Sequence, residues 1–154
     1  MDKKDILKKS LKDILDFIGV KNDFSIDHGE ENVMKVVIYG ENLNYLIGFR
    51  GQSLDALQTL LGQILHNKTG EWTPVIVDIN DYKDKRTDKL HDMAKVFIDK
   101  VRFFQSDYEL PPMKSWERKK IHELVSEYDD VVSESTGEGL NRRIVIKPKS
   151  RKTN

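Results

Sequence analysis

Two glycines set three residues apart, Gly48 and Gly51, interrupt the chain between a β-branched segment and a helix-like repeat of leucines. Neither residue has a Cβ, so the backbone can turn tightly there and approach another backbone closely. From Ser53 onward the apolar residues recur at the three- and four-residue spacing of an amphipathic helix. They are Leu54, Leu57, Leu60, Leu61, Ile64 and Leu65. The loop therefore opens the N-terminus of a helix, where unpaired N–H groups and the helix dipole favour an anion.

The sequence around this loop predicts six elements in the order α-β-β-α-α-β. The predicted elements are a helix with Ile6, Leu7, Leu11, Ile14, Leu15 and Ile18 that ends near Gly19, a strand at Phe24–Ile26, a strand at Val33–Tyr39 after a polar hairpin turn at Asp27–Asn32, a short helical turn at Leu43–Ile47, the leucine-rich helix ending near Gly70, and a strand at Pro74–Ile79.

The second half of the chain predicts the order α-β-α-β-β. Its elements are a long helix at Tyr82–Phe104 with Val96, Phe97, Val101 and Phe104 on one side, a short strand at Asp107–Leu110, a helix with Ser115 as N-cap and Ile121, Leu124, Val125 and Tyr128 on its core face, and a hairpin of Val131–Ser135 with Arg142–Ile146 across Thr136–Asn141. We expect two domains, residues 1–80 and 81–154, joined through the long helix.

Arg118, Lys119 and Lys120 stand in what the sequence predicts as the first turn of the shorter helix. The helix dipole prefers acidic residues there, so stability alone does not explain the choice. At about 100° per residue Arg118 and His122 share one flank, where a guanidinium and an imidazole could contact phosphate. The alternative is a surface arginine and a histidine that caps its neighbours.

Charge and composition limit the class of protein. The 26 basic and 26 acidic residues cancel, which counts against a strongly basic nucleic-acid binder. Residues 81–154 nevertheless carry 17 Lys and Arg against 14 Asp and Glu, a net charge of +3. No acidic residue interrupts the C-terminal run of Arg142, Arg143, Lys147, Lys149, Arg151 and Lys152. Cysteine is absent, and neither a signal core nor a membrane-length apolar segment is seen, so we expect a cytoplasmic protein without membrane insertion.

Both halves resemble known families. The first has the element order of a type II KH domain, with Gly48-Phe49-Arg50-Gly51 between its two central helices. The second resembles the nucleic-acid-binding domain named for an arginine and a histidine separated by three residues. Met113, Glu117-Arg118, Ser135–Gly139 and Arg142–Pro148 strengthen that likeness. The pair of domains is similar to the bacterial Jag (KhpB) family, which implies an α+β fold of two small α/β sandwiches.

The resemblance implies a non-catalytic protein that binds single-stranded RNA, with single-stranded DNA as an alternative. A post-transcriptional regulator or RNA chaperone affecting cell division or envelope growth is implied, with a small KH-only protein as partner and no cofactor. The implied binding residues are Gly48, Phe49, Arg50, Gly51, Gln52 and Ser53 in the loop and Arg118, Lys119, His122, Arg142 and Arg143 in the second domain. We further expect Ile47 and Leu54 to line a groove for bases.

Some residues depart from the family pattern. Phe49 replaces a basic or polar residue and offers a ring on which a base could stack. Lys114-Ser115-Trp116 replaces an Asn-Pro-Tyr segment, which puts the helix start in question. The chain also looks too short for the N-terminal Jag domain of many relatives, so a membrane or signalling role of that region is not transferred.

Other classes of function have less support. An adaptor that docks proteins through the KH fold fits the near-zero charge, whereas the intact glycine loop opposes it. His28, His66 and His91 lack metal-ligand spacing, and Asp78-Ile79-Asn80-Asp81 lacks the glycine of a calcium loop. No nucleophile elbow or P-loop is present, so the sequence does not favour an enzyme.

Overall fold

The computed structural model describes residues 1–150, and the chain divides into two compact units, Met1–Lys83 and a second that begins at Asp84. Both units mix helices with a small sheet, so the predicted α+β class is confirmed. The first unit contains α1 Lys3–Phe17, β1 Asp23–His28, β2 Met34–Tyr39, α2 Asn44–Ile47, α3 Gln52–Thr69 and β3 Val75–Ile79. This is the predicted order α-β-β-α-α-β.

The sheet of the first unit has the strand order β1-β2-β3, with β1 antiparallel to β2 and β2 parallel to β3. Alternate residues of each strand point to the same face, and those on one face are buried. They pack with α1 and α3 in a single core that includes Leu7, Leu11, Met34, Val36, Ile38, Leu61, Leu65, Val77 and Ile79.

The predicted hairpin turn at Asp27–Asn32 was wrong at its start. Asp27 and His28 belong to β1 and pair with Lys35 and Met34 of β2. Polarity suggested a turn, but these two residues lie at the exposed end of the strand, where polar side chains remain in water. The turn itself is the 3-10 segment Glu30–Asn32.

Asn80 holds the chain that leads into the glycine loop. Its side chain accepts a hydrogen bond from the N–H of Gly40 (3.1 Å) and donates one to the carbonyl of Gly40 (2.8 Å). Gly40 follows β2 and Asn80 follows β3, so this reciprocal pair ties the ends of two neighbouring strands. The position from which the chain enters α2 is thereby fixed.

The second unit is built mainly from α4 Tyr82–Phe104, β4 Tyr108–Glu109, α5 Ser115–Val125, β5 Val131–Thr136 and β6 Arg143–Pro148. Its sheet is antiparallel with the order β4-β6-β5, and the 3-10 segment Gly139–Asn141 lies in the hairpin loop. The element order α-β-α-β-β is the predicted one. A second core includes Ile98, Val101, Leu110, Ile121, Val125, Val131, Ile144 and Ile146.

The side of α4 that faces the core differs in part from the prediction, although Val101 is buried and Phe97 packs against the core as predicted. Leu90, Ala94, Ile98 and Val101 are fully buried, whereas Val96 and Phe104 are 53% and 59% exposed. A helix rich in apolar residues offers more than one stripe at the same spacing, and packing against the sheet selects among them.

The start of α5 also differs from the prediction. Lys114 is the N-cap and Ser115 is already helical, so Arg118 lies beyond the first turn. The buried carboxylate of Glu117 accepts a hydrogen bond from the N–H of Lys114 (3.0 Å) and pairs with Arg86 Nε (2.8 Å). An acidic group thus occupies the first turn, where the dipole favours it, and the expected conflict between the cations and the dipole does not arise there.

None of the helices within residues 1–150 is both long enough and apolar enough to cross a membrane.

Candidate nucleic-acid interface

The glycine loop has a conformation that only glycine adopts without strain. Gly48 has φ 73° and ψ −178°, and Gly51 has φ 77°. A Cβ at position 48 would overlap the Ser53 hydroxyl, and one at position 51 would lie 2.9 Å from Cε1 of Tyr82. Both glycines are therefore required by backbone geometry and by close contacts.

The loop presents the two residues between these glycines. Phe49 is 71% exposed, and the Arg50 guanidinium carbon lies 5.0 Å from the centre of its ring. Arg50 itself has φ 51°, a left-handed conformation that is uncommon for a residue with a side chain. An aromatic face and a guanidinium thus stand together on one short turn, a combination suited to a base and its phosphate.

The backbone donors of the loop are partly used within it. The N–H of Gly51 donates to the carbonyl of Gly48, and that of Gln52 donates to the carbonyl of Phe49. Gln52 and Ser53 are exposed at the first positions of α3. The N–H groups of Ser53 and Leu54 precede the first α-helical hydrogen bond, so they are the helix donors closest to an approaching anion.

The expected apolar groove is wrong for one of its two residues. Leu54 is 1% exposed and belongs to the core, so it offers no surface to a base. Ile47 is half-buried and packs against the same core. The exposed apolar groups of this region are instead the rings of Phe49 and Tyr45 (59% exposed), and Tyr45 was not predicted.

In the second unit, Arg118 is held by the loop that precedes its helix. Its Nη1 donates to the carbonyl of Met113 at 2.7 Å, and the N–H of Met113 donates to the carbonyl of Arg142 at 3.1 Å. The guanidinium has five N–H donors in a fixed fork, so one hydrogen bond orients the group and leaves donor capacity. Arg118 and the start of β6 are brought together through Met113.

His122 lies one helical turn after Arg118 and is fixed by β5. Its Nδ1 is 2.7 Å from Oγ of Ser133. Partial burial, and then the positive charge of Arg118, lower the pKa of His122 below its usual value near 6.5. The imidazole is therefore neutral at pH 7, and its other nitrogen is the atom that a ligand could meet.

A hollow of about 310 Å³ opens beside this histidine. The residues that line it include His122, Tyr128, Ser133 and Lys149. An aromatic ring, a hydroxyl, an imidazole and a cation around one opening can contact a base and a phosphate together. Ser133 and Tyr128 were missed as site residues, although the alternation of β5 turns Ser133 towards the same side as the buried Val131.

The two consecutive arginines at the start of β6 have different side-chain partners. Ile144 and Ile146 are in the core, so Arg143 points to the opposite face, where its Nη1 is 3.5 Å from Glu109. Arg142 precedes the strand and donates to the carbonyl of Gly137 at 2.8 Å. The backbone carbonyl of Arg142 is thus linked to Arg118 through Met113, whereas the side chains of Arg142 and Arg143 have different partners. Lys119 is exposed on α5.

The basic C-terminal run is partly neutralised. Lys147 Nζ lies 2.9 Å from Glu134 on the neighbouring strand, and the hydrogen bond to that carboxylate raises the pKa of Lys147. Lys149 borders the hollow beside His122. Arg151 and Lys152 lie outside the described residues. Within residues 1–150 no group of three or more His, Asp or Glu side chains is arranged to hold a metal ion.

The chain is similar to known proteins both in its second domain and over most of its length. The domain family named for its arginine and histidine three residues apart (the R-3-H domain) matches residues 88–148, so the second unit contains such a domain. The chain is also 37% identical over 144 residues to the RNA-binding protein KhpB of Bacillus subtilis (strain 168). The matched segment covers 92% of this chain and 69% of that protein. The chain belongs to the KhpB (Jag) family.

More distant relatives match the same region. The chain is 31% identical over 137 residues to the RNA-binding protein KhpB of Clostridium symbiosum, covering 88% of this chain and 62% of that protein. It is 30% identical over 133 residues to the RNA-binding protein KhpB of Streptococcus pneumoniae serotype 2, covering 86% of this chain and 40% of that protein. The chain thus spans about two thirds or less of the length of the relatives it matches.

Proposed function

We propose that this chain is a non-catalytic protein that binds single-stranded RNA through both of its units. In this proposal residues 1–80 form a KH-like domain whose loop Gly48–Gly51 clamps a short strand. Residues 81–154 form the second binding domain, in which Arg118 and His122 contact the backbone of the strand. The observation that carries the proposal is the Phe49–Arg50 pair, exposed on a turn whose geometry requires both flanking glycines.

The two sites have complementary chemistry. At the loop, the Phe49 ring receives a base, while Arg50 and the N–H group of Ser53 face phosphate. At the second site, Arg118 contacts phosphate, and the hollow beside His122 receives the adjoining base. In this proposal Gln52, Lys119 and Arg142 make additional contacts with the strand, whereas the Glu109 contact makes Arg143 a weaker contributor.

The relatives support RNA as the ligand, because three of them are named RNA-binding proteins. The matched segments cover 86% to 92% of this chain and therefore include both units. A post-transcriptional role, a connection with cell division or envelope growth, a small KH-only partner and a cytoplasmic location belong to the same proposal. Crosslinking in cells tests them, since it recovers the bound RNAs and copurifying proteins.

A direct binding experiment tests the first site. The substitution Phe49→Ala should weaken binding to a single-stranded oligoribonucleotide about ten-fold, because the stacking face is lost. Phe49→Tyr is the matched control and should retain most of the affinity, since its ring also has a stacking face. Equal affinities of wild type and Phe49→Ala would contradict a role for the loop. Stronger binding to a duplex than to a single strand would contradict the assigned ligand.

A protein-interaction adaptor is the second candidate function. The outer sheet face of the second unit favours it, because Arg143 faces Glu109 and Lys147 faces Glu134, so basic charge there is offset by acids. An adaptor would keep its partner when both Phe49 and Arg118 are substituted. Loss of RNA binding with an unchanged partner would separate the two functions.

A further inference from the structure

A row of aromatic rings runs along the end of α4 and onto β4, and it contains none of the residues assigned above. Phe103 and Phe104 are in contact, with ring centres 4.9 Å apart. The Phe104 ring lies 6.4 Å from that of Tyr108, which in turn lies 6.4 Å from that of Phe97. We call these four residues the aromatic row.

The inner half of the aromatic row is anchored and the outer half is open. Phe97 and Tyr108 are partly buried and pack against the core of the second unit. Phe103 is 81% exposed and Phe104 is 59% exposed. Exposure of two adjacent phenylalanines costs solvation free energy. The row is thus a supported platform with uncovered rings at its outer end.

Hydrogen bonds order the turn that carries the exposed rings. The side-chain amide of Gln105 donates to the carbonyl of Arg102 at 2.7 Å, and the hydroxyl of Ser106 donates to the carbonyl of Phe104 at 3.3 Å. These bonds satisfy two of the carbonyls at the C-terminal end of α4. The turn that carries Phe103 and Phe104 is therefore ordered.

One lysine lies beside the aromatic row, where it could pair with a phosphate of a nucleic-acid strand. Lys100 Nζ lies 5.2 Å from the centre of the Phe97 ring, on the same side of α4 as Phe97 and Phe104. Two acidic residues, Asp107 and Glu109, flank Tyr108, and Glu109 lies 3.5 Å from Nη1 of Arg143. Lys100 is the cation placed among the rings.

The exposed area of the aromatic row favours a nucleic-acid strand over a protein as its ligand. An aromatic side chain buries roughly 150–250 Å², so Phe103 and Phe104 offer at most a few hundred Å². A stable protein interface needs roughly 800 Å² from each partner. Two rings match the faces of two or three successive bases instead, because every base can stack on an aromatic ring.

We propose that the aromatic row is a base-stacking site for single-stranded RNA, with Lys100 contacting a phosphate of the same strand. This inference rests on the proposed function, since it names a further surface for the same ligand. It lies within the second unit and uses none of the residues Arg118, His122 or Phe49. The site would recognise bases by their faces and have little preference among sequences.

The test compares full-length variants on two probes. The probes are an oligoadenylate of about 12 nucleotides and a ribose-phosphate strand of equal length without bases. The variant Phe103→Leu/Phe104→Leu keeps the apolar character and removes both π faces. It should bind the oligoadenylate about ten-fold more weakly, and the abasic strand as wild type does. The dependence of affinity on salt should not change, because no phosphate contact is removed.

Matched controls separate stacking from other effects. Phe17→Leu alters a 92% exposed phenylalanine at the end of α1 and should leave both affinities unchanged. Phe103→Tyr/Phe104→Tyr restores the rings and should restore the affinity. Because both positions are exposed, we expect these variants to keep the core intact, and thermal unfolding checks this.

Three outcomes would contradict the stacking site but would leave the proposed RNA binding of the chain unaffected. They are unchanged affinity of the leucine variant, an equal loss on the abasic strand, and a change confined to self-association or protein binding. Failure of the wild type itself to bind the oligoadenylate would refute the proposed function as well, so the two failures are distinguishable.

Discussion

His122 and Arg118 show how single residues acquire their properties from their neighbours. Arg118 is oriented by a backbone carbonyl, and His122 is held between Ser133 and the charge of Arg118. The i,i+4 spacing indicated that the two side chains share a flank. It could not indicate that burial lowers the pKa of His122, because that burial arises only in the folded chain, where His122 contacts Ser133, 11 residues further along.

The lowered pKa leads to a prediction about pH. In the free protein His122 is neutral at pH 7, and a bound phosphate would raise its pKa. RNA binding then takes up a proton, so affinity should rise several-fold as the pH falls from about 7.5 to about 5.5. Titration by fluorescence anisotropy measures this, with His122→Gln expected to remove the rise. If the RNA affinity of the wild type and of His122→Gln depended on pH in the same way, His122 would not be a phosphate contact.

Stability should change with pH in the opposite direction. A histidine whose pKa is lower in the folded state stabilises the fold above its unfolded pKa near 6.5. That contribution is lost as the pH falls through the lower folded pKa. Chemical denaturation of the free protein should therefore show a loss of stability below pH 6.5 that is smaller in His122→Gln. The opposite slope would mean that the pKa is raised.

At the scale of elements, the glycine loop can be tested for backbone constraint. Gly51→Ala places a methyl group against the Tyr82 ring at φ +77°, so it should destabilise the first unit by about 2–3 kcal/mol. Gly19→Ala is a matched control, because Gly19 has the same φ and no atom within 4 Å of the added Cβ. It should cost about 1 kcal/mol. Urea denaturation gives both values, and equal losses would mean that the Tyr82 contact is unimportant.

The start of α5 depends on the buried Glu117 carboxylate. Glu117→Gln removes the charge facing Arg86 and weakens the hydrogen bond from Lys114. We expect a loss of about 3 kcal/mol in the free energy of unfolding, near the lower end for a broken buried pair because Arg86 retains some solvent contact. Glu123→Gln on the exposed face of the same helix should cost less than about 0.5 kcal/mol. Similar losses in both variants would contradict a special role for Glu117.

The order of elements could be predicted from the sequence, whereas the faces of some elements could not. The leucine spacing from Leu54 to Leu65 defines α3 because one stripe dominates, and the β-branched run of β2 is equally distinctive. On α4, apolar residues occur on several sides, so the choice of Ile98 over Val96 depends on the sheet. Likewise, polarity suggested that Asp27 was in a turn, although pairing with Lys35 extends the strand.

In the candidate site, too, some features could be predicted from the sequence and others could not. The glycine pair and the Arg118–His122 spacing are local patterns, so the sequence indicated them. The ring of Phe49 beside Arg50 also arises within one turn. The leucine stripe and the alternation of a strand already implied the burial of Leu54 and the separation of Arg142 from Arg143. The aromatic row, in contrast, depends on packing between α4 and β4, so it appears only in the folded chain.

At the scale of the whole molecule, two modest sites on one chain should reinforce each other. Once one site is bound, the second binds at an effective concentration set by the tether, and this can increase affinity by about 100-fold or more. Wild-type affinity should therefore rise steeply with the length of the single strand. In the Phe49→Ala variant the rise should be shallower. The same length dependence in both proteins would mean that only one site is used.

The central claim is that positioned cations contact the phosphates of a single strand, and the dependence of affinity on salt tests it most directly. Arg118→Gln removes one proposed phosphate contact, whereas Lys8→Gln removes the same charge from an exposed position on α1. The slope of log affinity against log salt should become shallower by about 0.7 in Arg118→Gln and remain unchanged in Lys8→Gln. Identical slopes in the wild type and both variants would contradict the account.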